Sequence, residues 1–444
     1  MTFPKIFLNR MEKLLGADFA EFAAGLSGSP YRALRLNRLK CTEAAAQRLI
    51  AGRKQTPFCP DAYYLFPDEK AGNSPYHHAG AFYLQEPSAA SAAEALGVQP
   101  GDRVLDLCAA PGGKATQLAG SLMGTGLLWC NEYVSARAQP LLSNLERLGV
   151  SGAVVSSLSA DILADRLPQF FDKILVDAPC SGEGMMRKEP AAVTGWSQEN
   201  IALCAERQQE ILDAAVGMLK PGGRLCYSTC TFAPEENELQ IAAFLERHPD
   251  FKLIPIAPSF GQSGFAHLSP STTGLEYTRR IFPRHGGEGH FVALLQKEGQ
   301  APCALPIETC KSDNPLFDAF YKENFENACP GNIVTIKDRV YITTRYSLPD
   351  CPVLRNGILA GTLQKGRFVP VHGLYTTPAC RPRQILTLSA DHPRTTAFLH
   401  GEEIPCGDAY RGYCGVFLDG IPLGFGKASG GRLKNHYPKG LRTL

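Results

Sequence analysis

The chain has no stretch near the ~18 consecutive apolar residues that a membrane-spanning helix requires, which excludes an integral helical membrane protein. It begins without an apolar secretory core, because Lys5, Arg10, Glu12 and Lys13 interrupt the first turns. It lacks paired cysteines: 15 are scattered from Cys41 to Cys414, the count is odd, and no CxxC occurs. That excludes a disulfide framework or zinc ribbon, leaves no expected metal site, and fits a reducing cytoplasm with most thiols acting as small buried hydrophobes. There is no internal repeat. There is no charge excess either, with 45 basic against 43 acidic residues and a net charge of +2. The composition, 44% hydrophobic and 20% charged over 444 residues, is that of about two to four globular domains rather than a disordered chain.

What is present is unevenly placed. Arg32 to Lys54 carries seven Lys or Arg against one acid, Glu43, and Ile421 to Leu444 carries Lys427, Arg432, Lys434, Lys439 and Arg442 with no acid. Two basic patches on a balanced chain are either solvated faces or phosphate-binding surfaces.

Between them, apolar runs alternate with helical patterns. The runs are 103–107, 127–130, 153–155, 173–176 and 224–227, with a last one at 290–295. Near-continuous apolar strands are what a parallel sheet covered on both faces produces, so a doubly wound, Rossmann-like α/β domain is expected over 76–297. Leu141, Leu142, Leu145 and Leu148 predict a helix stopped by Gly149; Ile201 to Leu219 predicts a longer one stopped by Pro221-Gly222-Gly223. Phe3 to Leu26 predicts a helix in an N-terminal segment, 1–75. After a linker at 298–306, short β-like runs at 333–336, 340–343, 415–418 and 422–425 predict one small β-rich module over 307–444.

Three motifs fall at strand ends. Cys108-Ala109-Ala110-Pro111-Gly112-Gly113-Lys114 follows Asp106 and opens a helix. Its small residues let backbone approach a ligand, and a helix N-terminus offers N–H groups to an anion. Glu132, at the tip of the next strand, is placed to accept from a ribose diol. The loop is not GxGxxG, so dinucleotide binding and an ordinary β–α turn remain alternatives. Cys180, after Asp177-Ala178-Pro179, and Cys230, after Ser228-Thr229, both sit at the ligand-binding edge of the sheet. A thiol before a helix N-terminus is expected to have a lowered pKa and to act as a nucleophile. Two thiols, a carboxyl and a bulky cofactor suggest attack of a thiolate on C6 of a pyrimidine, which makes C5 able to attack a methyl donor, with Asp177, if protonated, bonding or protonating N3. The residues alone do not order the two cysteines.

Asp106 to Lys114, Asp177-Ala178-Pro179-Cys180-Ser181-Gly182-Glu183-Gly184 and Tyr227 to Thr231 together resemble the RNA cytosine-C5 methyltransferases of the Sun/Nop type. Tyr83 to Ser88 and Arg284 to Phe291 support the match, and Lys434 to Arg442 resembles a small PUA-like RNA-binding module of the bacterial members. The resemblance implies S-adenosyl-L-methionine as cofactor, 5-methylcytidine in small-subunit (16S) ribosomal RNA as product, and a monomer meeting that RNA or the 30S subunit. It implies that Cys230 is the nucleophile and that Cys180 assists elimination. It places Asp177 between cytosine and cofactor, and Cys108 to Lys114, Glu132, Arg137 and Asp161 on the cofactor. A flipped-out base is expected, with the terminal segments supplying salt-dependent phosphate contacts. A non-catalytic assembly factor and an exocyclic-amine methyltransferase are the competing readings; the latter usually carries an aromatic where Cys180 stands.

Overall fold

The structure is a computed structural model that describes residues 3–257, 259–300 and 309–443. Most of the expected linker, 301–306, and the first two residues of the expected C-terminal module, 307–308, lie outside the described residues.

The central sheet holds β1 (Arg103–Asp106), β2 (Leu127–Asn131), β3 (Ala153–Ser156), β4 (Phe171–Asp177), β5 (Leu219–Thr229) and β6 (His290–Lys297). Their order is β3-β2-β1-β4-β5-β6; the first five are parallel and β6 is antiparallel. Successive side chains alternate between two cores. Val104, Leu128, Leu175, Cys226 and Val292 face one; Leu105, Trp129, Val176, Tyr227 and Phe291 face the other. Helices α1 (Gly113–Leu122) and α2 (Ser135–Arg147) cover the first, and α3 (Gln198–Met218) and α4 (Glu238–Arg247) the second. The order reverses between β1 and β4, so the crevice for a ligand opens at their carboxyl ends.

Three expectations are corrected. The helix expected over Phe3–Leu26 is two, Lys5–Leu15 and Phe19–Leu26, because Gly16 adopts φ +53° and turns the chain. Pro221-Gly222-Gly223 does not simply end α3, which stops at Met218; the triplet lies inside β5, where Gly223 packs against Asp172 O of β4. The C-terminal stretch holds two sheets rather than one. One is formed by Asn332–Ile336, Arg339–Thr343, Ile358–Gln364 and Arg367–Pro370; the other contains Gly412–Leu418, Ile421–Ser429 and Arg432–Asn435.

The N-terminal segment folds into a three-stranded antiparallel sheet with Ala33–Leu36 between Ala62–Tyr64 and Phe82–Gln85. An edge at 75/76 therefore runs through this unit. Leu34, Leu49, Tyr76 and Phe82 share one buried core with Leu386, Phe398, Leu418 and Leu433 of the last sheet. The paired helices before it pack Phe7, Met11, Phe22 and Leu26 onto Met186, Phe232 and Phe282 of the central domain.

Candidate active site

The loops after β1, β2, β4 and β5 meet at one edge. After β1, Gly112 takes φ +109°, and a Cβ there would meet Leu141 at 3.2 Å, so only glycine lets the loop turn into α1. Arg35 of the N-terminal sheet secures this loop. Its guanidinium is 3% exposed and donates to Gly113 O at 2.7 Å, Gln85 Oε1 at 2.9 Å and Thr116 Oγ1 at 2.8 Å. Burial lowers its pKa to about 10. Lys40 is buried on Arg147 O, Arg38 pairs with Asp61, Arg48 with Asp419 and Arg53 with Glu69. Of the first basic patch, Arg35 and Lys40 are therefore internal and Arg53 is half-buried, while Arg32, Arg38, Arg48 and Lys54 stay exposed.

Asp177 ends β4 and stands at the centre. Burial pushes its pKa up, but Lys114 Nζ at 2.7 Å and His290 outweigh that and hold the carboxyl well below the usual range. Ser228 Oγ donates to Asp177 Oδ1 at 2.7 Å, and His290 Nε2 lies 3.7 Å from the same oxygen. The condition for Asp177 to act as an acid toward N3 is therefore not met: it is a carboxylate, and Lys114 is the proton-bearing member of the pair. Lys114, expected on the cofactor, points to the catalytic end instead. Behind them Asp106 is fully buried, and neither carboxylate oxygen has a partner among the described residues. Burial and the nearby Asp177 charge raise its pKa to about 8.

Cys180 and Cys230 come together across the gap between β4 and β5, with sulfurs 3.3 Å apart. The expected lowering of the thiol pKa does not hold at Cys180. Its contact with Cys230 and its burial push the pKa well above the ordinary value, so it keeps its proton at neutral pH. Cys108 is likewise pushed up by burial, aided by the charge of Asp106.

At the other end of the crevice Glu132 is 3% exposed, accepts from Val134 N at 3.0 Å, and lies 3.5 Å from Arg137. Arg137 also donates to Ala110 O at 3.3 Å, which ties Glu132 to the glycine loop. Asp161 lies in the first turn of the helix Ala160–Arg166, on the surface. Tyr133 and Ile162, beside these two acids, are 72% and 47% exposed. A close-packed loop, a buried orphan carboxyl, a ribose-type acid and two uncovered apolar side chains suit a cofactor with an ammonium, a ribose and a base. Among the described residues no cluster of His, Cys, Asp or Glu is placed to hold a metal ion, and no helix is long and apolar enough to cross a membrane.

Residues 93–296 match the family model described as 16S rRNA methyltransferase RsmB/F. Residues 3–87 match the N-terminal domain of 16S rRNA methyltransferase RsmF, and 386–443 match the methyltransferase RsmF PUA domain. Ribosomal RNA small subunit methyltransferase F of Shigella boydii is 34% identical over 333 residues, covering 70% of this chain and 67% of that protein. The chain belongs to the RsmB/F family of 16S rRNA methyltransferases. The protein of the same description from Escherichia fergusonii matches at the same identity and coverage. Among solved structures, a methyltransferase homologue from Pyrococcus horikoshii is 30% identical with a TM-score of 0.58, covering 66% of this chain and 95% of that one. NSun6 from the same organism, at 21% identity and a TM-score of 0.59 over 67% of this chain and 99% of its own, shares the fold. This family member is an S-adenosylmethionine-dependent rRNA methyltransferase with a Rossmann-like domain between an N-terminal RsmF-type domain and a C-terminal PUA domain.

Several site residues escaped the sequence reading. Glu183 and Glu236 lie within or beside the motifs but carried no role there. His290, quoted only as part of a matching segment, is 3% exposed, and neither ring nitrogen has a hydrogen-bond partner among the described residues. Its proximity to Asp177 follows from the antiparallel course of β6, which brings His290 beside Cys230 once Phe291 pairs with Thr229.

Proposed function

We propose that this enzyme methylates C5 of a cytidine in small-subunit ribosomal RNA through a covalent bond between Cys230 and C6. The observation that carries the reading is the pair of sulfurs 3.3 Å apart beside the Lys114–Asp177 pair. A methyltransferase acting on an amine has no use for two adjacent thiols.

Cys230, as thiolate, adds to C6. The electron pair of the C5–C6 double bond moves toward N3, which takes a proton from Lys114 while the Asp177 carboxylate accepts from the 4-amino group. The Cys108–Gly113 loop, Glu132, Arg137 and Asp161 would hold S-adenosylmethionine, which would supply an electrophilic methyl group for C5. N3 returns its proton to Lys114, C5 gives up its proton to solvent, the C5–C6 double bond re-forms, and the Cys230 sulfur leaves. Cys180, which still carries its proton, neutralises the departing thiolate and is re-protonated from solvent. The target base must leave the stack, since C5 and C6 are attacked from the ring face. We read the acting form as a cytoplasmic monomer. Lys427, Arg432, Lys434 and Lys439 are exposed on the PUA unit. Lys427 and Lys434 stand opposite each other in the sheet, an arrangement that is unfavourable until an anion lies between them.

Three proteins test the reading: wild type, Cys230→Ala and Cys180→Ala, each incubated with labelled cofactor and small-subunit rRNA. Nucleoside mass spectrometry is expected to place the label on carbon 5. Cys230→Ala transfers nothing, and Cys180→Ala accumulates a protein–RNA adduct stable in denaturant. Methyl on the exocyclic nitrogen, or turnover by Cys230→Ala, overturns it.

A further inference from the structure

Each cysteine is followed by a hydroxyl residue, and those hydroxyls meet. Ser181 Oγ lies 2.8 Å from Thr231 Oγ1. Each is then held by an acid from the other cysteine's loop. Glu236, from the Cys230 side, accepts from Ser181 N at 3.0 Å and from Ser181 Oγ. Glu183, from the Cys180 side, accepts from Thr231 Oγ1 and Phe232 N, both at 3.0 Å. Gly184 N donates to Cys230 O at 2.9 Å, which adds a backbone strut between the loops. Ser181, Thr231, Glu183 and Glu236 are 7%, 1%, 3% and 0% exposed.

The outer contacts fix the acids. Trp196 Nε1 donates to Glu183 Oε1 at 2.9 Å, and Gln208 Nε2 donates to Glu236 Oε2 at 2.8 Å and to Pro179 O at 3.0 Å. The hydrogens can be counted. Three contacts link the two hydroxyls and the two acids, but the hydroxyls supply only two protons. The third belongs to a carboxyl, so the cluster holds one negative charge rather than two. Burial raises both acids' pKa values, in keeping with that count.

We infer that Ser181, Thr231, Glu183 and Glu236 form a crossed clasp that positions Cys180 against Cys230, so that the departing sulfur is neutralised before the RNA is released. None of the four touches substrate; they are positioning residues. The inference rests on the C5 reading above, but predicts something the motif cysteines alone do not. Loosening the clasp should separate the two half-reactions, because Cys230 still attacks while Cys180 no longer reaches it. A shift of about 1 Å in such a contact costs on the order of 100-fold in rate.

The test uses full-length Thr231→Val, Thr231→Ser and Glu236→Gln with labelled cofactor and small-subunit rRNA. Thr231→Val keeps the shape and removes the hydroxyl. It is expected to lower kcat at least tenfold, leave KM for RNA and cofactor within about twofold, and raise the fraction of enzyme trapped as a denaturant-stable adduct. Thr231→Ser restores both readings. Glu236→Gln keeps a donor and an acceptor beside Ser181 and is expected to stay within about threefold of wild type; should Thr231→Val not fold, Ser181→Ala, which removes the other hydroxyl, is the second probe and is expected to show the same fall in kcat and the same excess adduct. A Thr231→Val enzyme with wild-type kcat and no excess adduct overturns the clasp. So does one that loses adduct formation and turnover together, or a Ser variant that rescues neither. Wild-type enzyme that forms no 5-methylcytidine would instead sink the C5 reading.

Discussion

Replacing Lys114 by Met removes the only cation within hydrogen-bond reach of Asp177 among the described residues, while filling the same space. The pair is 2.7 Å apart, with side chains 11% and 30% exposed, so water screens it little. Breaking a pair of this burial leaves a carboxylate with one hydroxyl donor and a histidine, and costs about 3 kcal/mol. The pH dependence fixes the sign. The folded pKa of Asp177 is depressed, so its stabilising contribution is fully present above the unfolded value near ~4 and fades as pH falls through the folded pKa. Lys114→Met should therefore be destabilised by about 3 kcal/mol at pH 7, and the gap should narrow as pH falls below ~4. A cycle with Asp177→Asn isolates the pair: the double variant should lose much less than the sum of the single losses. Denaturant titrations at about pH 7 and about pH 3 measure it, and methyl transfer by the same proteins should fall by about 100-fold or more. Additive losses, or a deficit in Lys114→Met that does not depend on pH, would refute Lys114 as the partner that keeps Asp177 ionised.

Two other predictions follow from the same geometry. Asp106 has a folded pKa raised to about 8, so the fold loses roughly 1.4 kcal/mol per pH unit as pH rises from about 4 to about 8. Asp106→Asn, a stand-in for the protonated form, should match wild type near pH 4 and exceed it at pH 8; denaturation at the two pH values in the absence of cofactor checks this, and equal stability at pH 8 contradicts it. Lys427→Glu with Lys434→Glu should weaken rRNA binding and reduce the slope of log affinity against log salt by about 2, leaving cofactor binding by calorimetry unchanged; an unaltered salt slope removes these lysines from the RNA surface.

The grouping of the motif residues at one edge was legible because it is local. Asp106 to Lys114, Asp177 to Gly184 and Tyr227 to Thr231 each join an apolar strand to a turn of small residues, and strand ends in a parallel sheet converge whatever the rest of the chain does. The fate of each charge was not legible, for the converse reason. A cation in sequence says nothing about whether its guanidinium meets water, and Arg35 is enclosed by Gln85, Gly113 and Thr116, partners from a strand and a helix that lie far from it in sequence. The acids of the clasp were in view but unreadable. Glu236 reaches Ser181 across 55 positions, and only the adjacency of β4 and β5 brings them together. The ionisation of Asp177 was equally out of reach, because it depends on Lys114 leaning away from the cofactor loop that the motif assigns it to.

The terminal units were legible as separate segments and are physically one. Tyr76 OH donates to Asp419 Oδ2 at 2.6 Å, Thr42 Oγ1 donates to Asp419 O at 3.3 Å, and Arg48 lies 3.8 Å from the same side chain. These bonds rim a core in which Leu34, Leu49 and Phe82 of the first unit touch apolar residues of the last. The first unit also grips the glycine loop through Arg35, and its leading helices back the Cys230 loop through Phe22, whose ring meets Phe232 at 5.3 Å. Lys427 and Lys434 therefore stand on a continuous packed path that ends beside both the glycine loop and the Cys230 loop. Close-packed interiors pass displacement on rather than absorb it. A binding surface at the far end of the chain and a thiol in its middle are thus held in one frame, and the distance between them is set by the fold rather than by a linker.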